Sequence, residues 1–264
     1  MEQVYEVEDP KLESPSQFYD KLAADYDAMT GLEKRFVHER PFFKMFVEKY
    51  SINSALDAGA GTGFHSLLMA ELGVAVTAID ISKKMLARVK EHAKLRHEKI
   101  DVIVSSFEDL ADNVHRTFDA VLCMGNSLPH LSSRKDLEQS LKNFSKVLNP
   151  GGILFLQILN YDRILAKRER VQSVKEMGGI TFVRFYEFHR DHVIFNILKL
   201  KMENGQPRQE LESVRLRPIL KEEMLRAVQM AGFSEIHTHG SIMQDDFHES
   251  SSKDLVVLAR KSMA

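Results

Sequence analysis

The spacing of apolar residues changes character along the chain. From Phe18 to Tyr50 the aromatic residues Phe18, Tyr19, Tyr26, Phe36, Phe42, Phe43 and Phe46 recur at helical intervals, and Pro41 is expected to separate two helical pieces. From residue 55 onward, short apolar runs alternate with helical periods. Ala55-Leu56-Asp57-Ala58 predicts a strand, and Phe64, Leu67, Leu68 and Leu72 predict a helix ended by Gly73. Val74 to Ile79 predicts a second strand. Ser82 is placed to cap the helix that carries Met85, Leu86, Val89 and Ala93. Strands follow over 102–104 and 120–124, then a helix over 134–148 with Leu137, Leu141, Phe144 and Leu148 on one face. Asn149-Pro150-Gly151-Gly152 reads as a turn before a fifth strand, Ile153 to Leu159.

The period then shortens to two. Thr181 to Phe188 and His192 to Met202 alternate as antiparallel strands, and Asn204-Gly205 is a hairpin signal leading to a strand over 208–217. A helix over 219–231 ends at Gly232, and two last strands lie near 233–239 and 255–259. Repeated strand–helix units require a parallel sheet covered by helices on both faces. The expected fold is therefore α/β: a doubly wound, Rossmann-like, mostly parallel sheet with an antiparallel β insertion after the fifth strand. Residues 1–17, with Pro10, Pro15 and several charges, read as a mobile N-terminal arm. Residues 18–264 form one domain, in which 161–218 is a β-rich insertion and substrate cover.

Composition narrows the class. The 264 residues are 44% hydrophobic and 28% charged, with a net charge of -2. That charge does not favour a nucleic-acid partner. The single cysteine, Cys123, permits no intrachain disulfide, and a reducing, cytoplasmic location is expected. The acidic N-terminus lacks the basic start and apolar core of a signal peptide, and no apolar run reaches membrane-spanning length.

The chemistry concentrates at Asp57-Ala58-Gly59-Ala60-Gly61-Thr62-Gly63, which leaves a strand and enters a helix. Glycines let the backbone turn sharply and let a ligand press against it. A dinucleotide fingerprint would need glycine or alanine at position 64, where the chain has Phe64, and the Lys-Ser/Thr ending of a P-loop is missing. The second strand ends at Asp80, 23 residues after Asp57. A carboxylate at that strand tip suits the two hydroxyls of an adenosine ribose. Its bland alternative is a helix-starting aspartate.

Asp57 to Gly63 resembles the first motif of class I methyltransferases. Asp80 matches the acidic residue that follows it, and Leu148-Asn149-Pro150-Gly151-Gly152 resembles their turn before the fifth strand. Gly125-Asn126-Ser127-Leu128-Pro129-His130-Leu131, Asn160-Tyr161-Asp162 and Asp80-Ile81-Ser82-Lys83-Lys84-Met85-Leu86 are similar to segments of glycine N-methyltransferases. The resemblance implies S-adenosylmethionine as methyl donor, S-adenosylhomocysteine as product, no metal, and a small-molecule acceptor. A homo-oligomer is compatible with it.

The resemblance also implies roles. Arg35 matches the arginine that holds the donor carboxylate, with Arg40 as the rival. Tyr19 or Tyr26 adds a hydroxyl contact. Asp57 orders the glycine loop or accepts a bond from the donor amine. Gly59 and Gly61 form the cradle. Ser106 and Phe107 take the adenine, and Met124 fills the floor beside it. Asn126 and His130 are the catalytic candidates, one orienting an amine hydrogen and the other accepting a proton. Ser127, Tyr161 and Arg184 are the acceptor candidates, Arg184 for a carboxylate. Each has an ordinary alternative as a packed core residue or a solvated charge. Glu2, Glu6, Glu8 and Glu13 all stand where the glycine-specific enzymes use an N-terminal glutamate, and no motif selects among them. Methyl transfer to oxygen, carbon or a macromolecule, and a non-catalytic donor-binding protein, are the competing readings.

Overall fold

The computed structural model describes residues 12 to 263. Helices α1 (Pro15–Leu22), α2 (Tyr26–Thr30) and α3 (Leu32–Tyr50) come first. They are followed by β1 (Ser54–Ala58), α4 (Phe64–Glu71), β2 (Ala75–Asp80), α5 (Lys83–Leu95), β3 (Ile100–Val104) and α6 (Leu110–Asn113). Next come β4 (Phe118–Cys123), α7 (Arg134–Lys146), β5 (Leu148–Leu159) and α8 (Tyr161–Lys167). An antiparallel group follows: β6 (Val171–Met177), β7 (Ile180–Phe188), β8 (Val193–Glu203) and β9 (Gln206–Leu216). Finally α9 (Lys221–Met230), β10 (Phe233–His239) and β11 (Asp254–Lys261) return to the first sheet.

Seven strands form the main sheet in the order β10-β11-β5-β4-β1-β2-β3. β1 to β5 pair in parallel, while β11 runs antiparallel to β5 and β10 antiparallel to β11. From β1 the chain winds outward to β2 and β3, then crosses to β4 on the other side. The carboxyl ends of β1 and β4 therefore bound a crevice at a topological switch point, where open α/β sheets bind ligands. Leu56, Ala58, Leu122 and Cys123 are wholly buried, as strands covered on both faces require.

The other four strands form their own sheet, β6-β7-β8-β9. Along β7, Phe182 and Tyr186 are buried and join the main core with Val193 and Ile197 of β8. That face meets α1, where the Phe18 and Phe195 rings lie 6.1 Å apart. Lys199 reaches Asp25 at 3.2 Å, and Lys21 reaches Glu212 at 2.9 Å.

The structure corrects several expectations. Residues 12 to 17 are not part of a mobile arm: Glu13 bridges to Val214, Ser14 caps α1 through Gln17, and the helix starts at Pro15. The rest of that expectation, residues 1–11, lies outside the described residues. Pro41 does not divide α3, which runs through it; the break falls at Gly31, in the left-handed conformation. Pro41 faces solvent, so water can satisfy the carbonyl its missing N–H leaves free. β5 begins at Leu148 rather than Ile153, pairing with Phe118 before its register slips. β6 carries little period because much of it is exposed at a sheet edge.

Candidate active site

The chain leaves β1 with Gly59 at φ 75°, Gly61 at 56° and Gly63 at 90°. The N–H groups of Gly59 and Ala60 both reach the carbonyl of Ile79 at 2.9 Å, which ties the loop to the end of β2. The Gly61 N–H donates to Asp80 Oδ2 at 2.9 Å, and the Ser82 N–H donates to Oδ1 at 2.8 Å. Each carboxylate oxygen thus spends one lone pair on backbone and retains another. Burial pushes the Asp80 carboxyl up to about 6 against those hydrogen bonds. A buried carboxylate held by backbone and lacking a cation is a suitable acceptor for ligand hydroxyls.

Two cavities meet over this loop. The larger, about 290 Å³, is lined by Ser105, Ser106, Phe107, Leu131 and His130. The smaller, about 60 Å³, is lined by Tyr26, Arg35, Gly61, Phe64, His65 and Met124. Tyr19, Gly59, Asp80 and Ser127 line both. An apolar slot with an aromatic wall, a carboxylate at the waist and a guanidinium at the far end match the base, ribose and amino-acid end of S-adenosylmethionine. The cradle is tight: a Cβ at Gly59 would stand 2.7 Å from Ser127 Oγ and 3.2 Å from the Phe107 ring. The residues therefore fit the group.

Of the residues expected from sequence, Tyr19, Tyr26, Arg35, Gly59, Gly61, Asp80, Ser106, Phe107, Met124, Ser127 and His130 line these cavities. Arg40 does not; it is half exposed and faces Glu71 at 3.9 Å. Asp57 lines neither cavity. Its Oδ2 accepts a 2.5 Å bond from Ser66 Oγ, which anchors α4 to the end of β1. The Ser106 hydroxyl is turned to Asp109 at 2.9 Å, so its own contact is with the following turn. Phe107 is braced edge-on by Phe144.

The acceptor candidates divide. Asn126 sits at φ 68°, and its amide is committed: Nδ2 donates to Tyr161 Oη at 3.0 Å, and Oδ1 accepts from the Leu159 N–H at 3.0 Å. It ties the loop after β4 to the end of β5 rather than facing either cavity. Tyr161 is wholly buried and lines neither of the two cavities. His130 lines the larger cavity, but its Nε2 lies 2.9 Å from Tyr19 Oη and burial lowers it to about 4. A ring so shifted is neutral near pH 7 and accepts protons poorly, which argues against the base role expected for it. Arg184 lies on the face of β7 that carries Phe182 and Tyr186, with Nε 2.7 Å from Ser173 Oγ. Burial raises the Tyr26 and Tyr186 hydroxyls; the positive field of Arg35, and after it Arg184, opposes the rise at Tyr26, and that of Arg184 opposes it at Tyr186.

Sequence reading missed the links that hold the N-terminal helices over the loop. Asp20 Oδ1 accepts a 2.5 Å bond from the Ser82 hydroxyl, and Ser82 in turn caps α5. Asp27 Oδ2 pairs with Arg88 Nη2 at 3.0 Å and His92 Nε2 at 3.1 Å, while His92 Nδ1 lies 3.0 Å from the Thr62 carbonyl. His92 thus joins α2 to the glycine loop. The bond to Asp27, aided by Thr62, raises the His92 pKa above its usual 6.5 despite partial burial. A histidine raised on folding stabilises fully below its unfolded pKa and ceases to do so as pH climbs through the folded value. Melting temperature measured against pH is therefore expected to fall from about 6.5 upward, and His92→Gln should flatten that slope. An unchanged slope in the variant would refute the link.

Among the described residues, no group of three or more His, Cys, Asp or Glu side chains is arranged to hold a metal ion, and no helix is long and apolar enough to cross a membrane.

Comparison with known proteins agrees with this geometry. A family model described as a methyltransferase domain matches residues 55–152. The chain is 27% identical over 246 residues to glycine/sarcosine N-methyltransferase of Aphanothece halophytica, covering 93% of this chain and 90% of that protein. It is 35% identical over 133 residues to glycine N-methyltransferase of Oryctolagus cuniculus, covering 46% and 45% of the two chains. The crystal structure of an S-adenosylmethionine-dependent methyltransferase from Clostridium acetobutylicum has the same fold, with a TM-score of 0.79, 17% identity, and coverage of 92% of this chain and 99% of that one. Sheet order, loop and relatives converge: residues 55–152 carry a methyltransferase domain, and the chain resembles class I S-adenosylmethionine-dependent methyltransferases, the glycine N-methyltransferases among them.

Proposed function

We propose that this enzyme methylates the nitrogen of a small amine that also bears a carboxylate. The observation that carries the reading is the meeting of the two cavities at Tyr19, Gly59, Asp80 and Ser127, beside α1, against which the β6–β9 sheet packs. When bound, S-adenosylmethionine supplies a methyl group activated by its sulfonium. Phe107 and Leu131 enclose the base, Asp80 accepts from the ribose hydroxyls, and Arg35 grips the carboxylate at the far end. Tyr19 sits at the waist between base and amino-acid ends, where the reacting carbon would lie. Its hydroxyl, held by His130, offers a lone pair to polarised C–H or N–H groups without itself ionising, because burial raises it well above its usual pKa.

The acceptor side is supplied by the β insertion. Arg184 presents a guanidinium on the inner face of β7, and a carboxylate there would gain two charge-assisted hydrogen bonds. The relatives named for glycine and sarcosine act on such amino acids. With His130 held neutral and bonded, no side chain lining the cavities among the described residues is a strong base. The site instead admits the neutral amine, aligns it and excludes water, and alignment of this kind can supply much of the acceleration.

Release of S-adenosylhomocysteine across a panel of glycine, sarcosine, other amino acids, simple amines, phenols and RNA tests this. Turnover of a carboxylate-bearing amine is expected. Arg184→Ala should raise the KM for that acceptor about 10- to 100-fold, the scale of lost charged hydrogen bonds. Turnover confined to RNA or phenols would reject the reading.

A further inference from the structure

Behind the smaller cavity, α3 buries a carboxylate. Glu39 is 6% exposed, yet it lines neither cavity. Its Oε1 accepts from Arg35 Nε at 2.8 Å, and its Oε2 lies 3.5 Å from both Arg35 Nη2 and His65 Nε2. Burial raises its pKa, but His65 and Arg35 outweigh burial and hold the carboxyl below its usual value, so it is ionised. Helix stability alone does not account for the pair. An acidic residue four places after a basic one is the less favourable order, and His65 comes from a different helix.

The Arg35 guanidinium is constrained on two sides. One edge meets Glu39, and one face lies over the Phe64 ring with 3.8 Å from its central carbon to the ring centroid. Nη1 has no hydrogen-bond partner among the described residues, and Arg35, Phe64 and His65 all line the cavity. An arginine loses rotational freedom when it grips a ligand, and less is lost when neighbours already hold its plane.

We infer that Glu39 is a positioning residue: from behind the cavity, with His65 as its second partner, it fixes the Arg35 guanidinium with its free edge towards the carboxylate of the donor's amino-acid end. This rests on the reading of Arg35 as the carboxylate ligand.

Calorimetry of the full chain with two ligands tests the inference. S-adenosylhomocysteine carries the amino-acid end, and methylthioadenosine lacks it. Glu39→Gln is expected to weaken S-adenosylhomocysteine about tenfold and to leave methylthioadenosine within about twofold, since neutralising the glutamate removes about one charged hydrogen bond's worth of ordering. In an Arg35→Ala background the same change should have no further effect. Glu39→Asp, which withdraws the carboxylate by one methylene but keeps its charge, should show the same ligand-selective loss and serves if the glutamine variant does not fold. Equal weakening of both ligands would mean a merely structural role, and no weakening of either would also overturn the inference. If Arg35→Ala itself leaves S-adenosylhomocysteine binding intact, it is the reading of Arg35 that fails.

Discussion

Asp80→Asn is expected to weaken S-adenosylmethionine binding about 100-fold or more. The ribose would lose a charged acceptor for its two hydroxyls, and hydrogen bonds to charged groups contribute about 1.5–3 kcal/mol each. The asparagine also fits its own surroundings badly. Both carboxylate oxygens already receive backbone N–H groups, from Gly61 and Ser82. An amide NH2 would set a donor against one of those donors, loosening either the loop or the start of α5. The pH profile provides a second readout. With Asp80 raised by burial to about 6, the free protein holds the carboxyl protonated below that value, whereas ribose binding draws on the ionised form. Affinity should therefore fall as pH drops below about 6, and the asparagine variant should lose this dependence. The stability sign is opposite: a carboxyl whose folded pKa is raised stabilises fully below its unfolded value and loses that contribution as pH rises through the folded one. The free protein should accordingly gain from this group in acid, just where the donor binds worst. Binding by calorimetry between pH 5 and 8 checks both trends, and a variant that retains wild-type affinity would remove Asp80 from the site.

Gly59→Ala is expected to be comparably severe for binding, for a different reason. At φ 75° an alanine adopts a conformation that costs about 1–2 kcal/mol for an L-residue. Its methyl would also sit 2.7 Å from Ser127 Oγ, 2.9 Å from Ser127 Cβ and 3.2 Å from Phe107 Cζ. Ser127 is held by a 2.9 Å bond to the Met124 carbonyl, and Phe107 is braced by Phe144, so neither yields freely. The methyl would occupy the junction of the two cavities. Gly73→Ala provides the comparison. Gly73 has φ 85° but nothing within 4 Å of its added Cβ, so that variant should share the backbone strain and keep donor affinity. Thermal melts and donor titrations of the two variants separate strain from obstruction. Equal donor affinity in both would show that the Gly59 cradle does not touch the ligand.

The sheet, the glycine loop and Asp80 were legible in the sequence because each is written in consecutive residues. Burial on both faces leaves an apolar run in β1 and β4, a left-handed turn calls for glycine, and a strand tip puts its last side chain at the sheet's carboxyl edge. Such signals depend on the backbone within a few residues, so they survive without knowledge of what packs where. β6 left little trace, since an exposed edge strand has no face that must be apolar. Pro41 was misread because its effect depends on which side of α3 meets water.

What only the tertiary structure decided is the pairing of side chains distant in sequence. Tyr19 meets His130 across 111 positions, His92 reaches back to Asp27, and His65 comes to the carboxylate of Glu39. The same packing turned the Asn126 amide to Leu159 and Tyr161, and the Asp57 carboxylate to Ser66, away from the cavities where a motif alone would have put them. A buried polar group must be satisfied by whichever partner the packed elements bring within about 3 Å, and no local pattern records that partner.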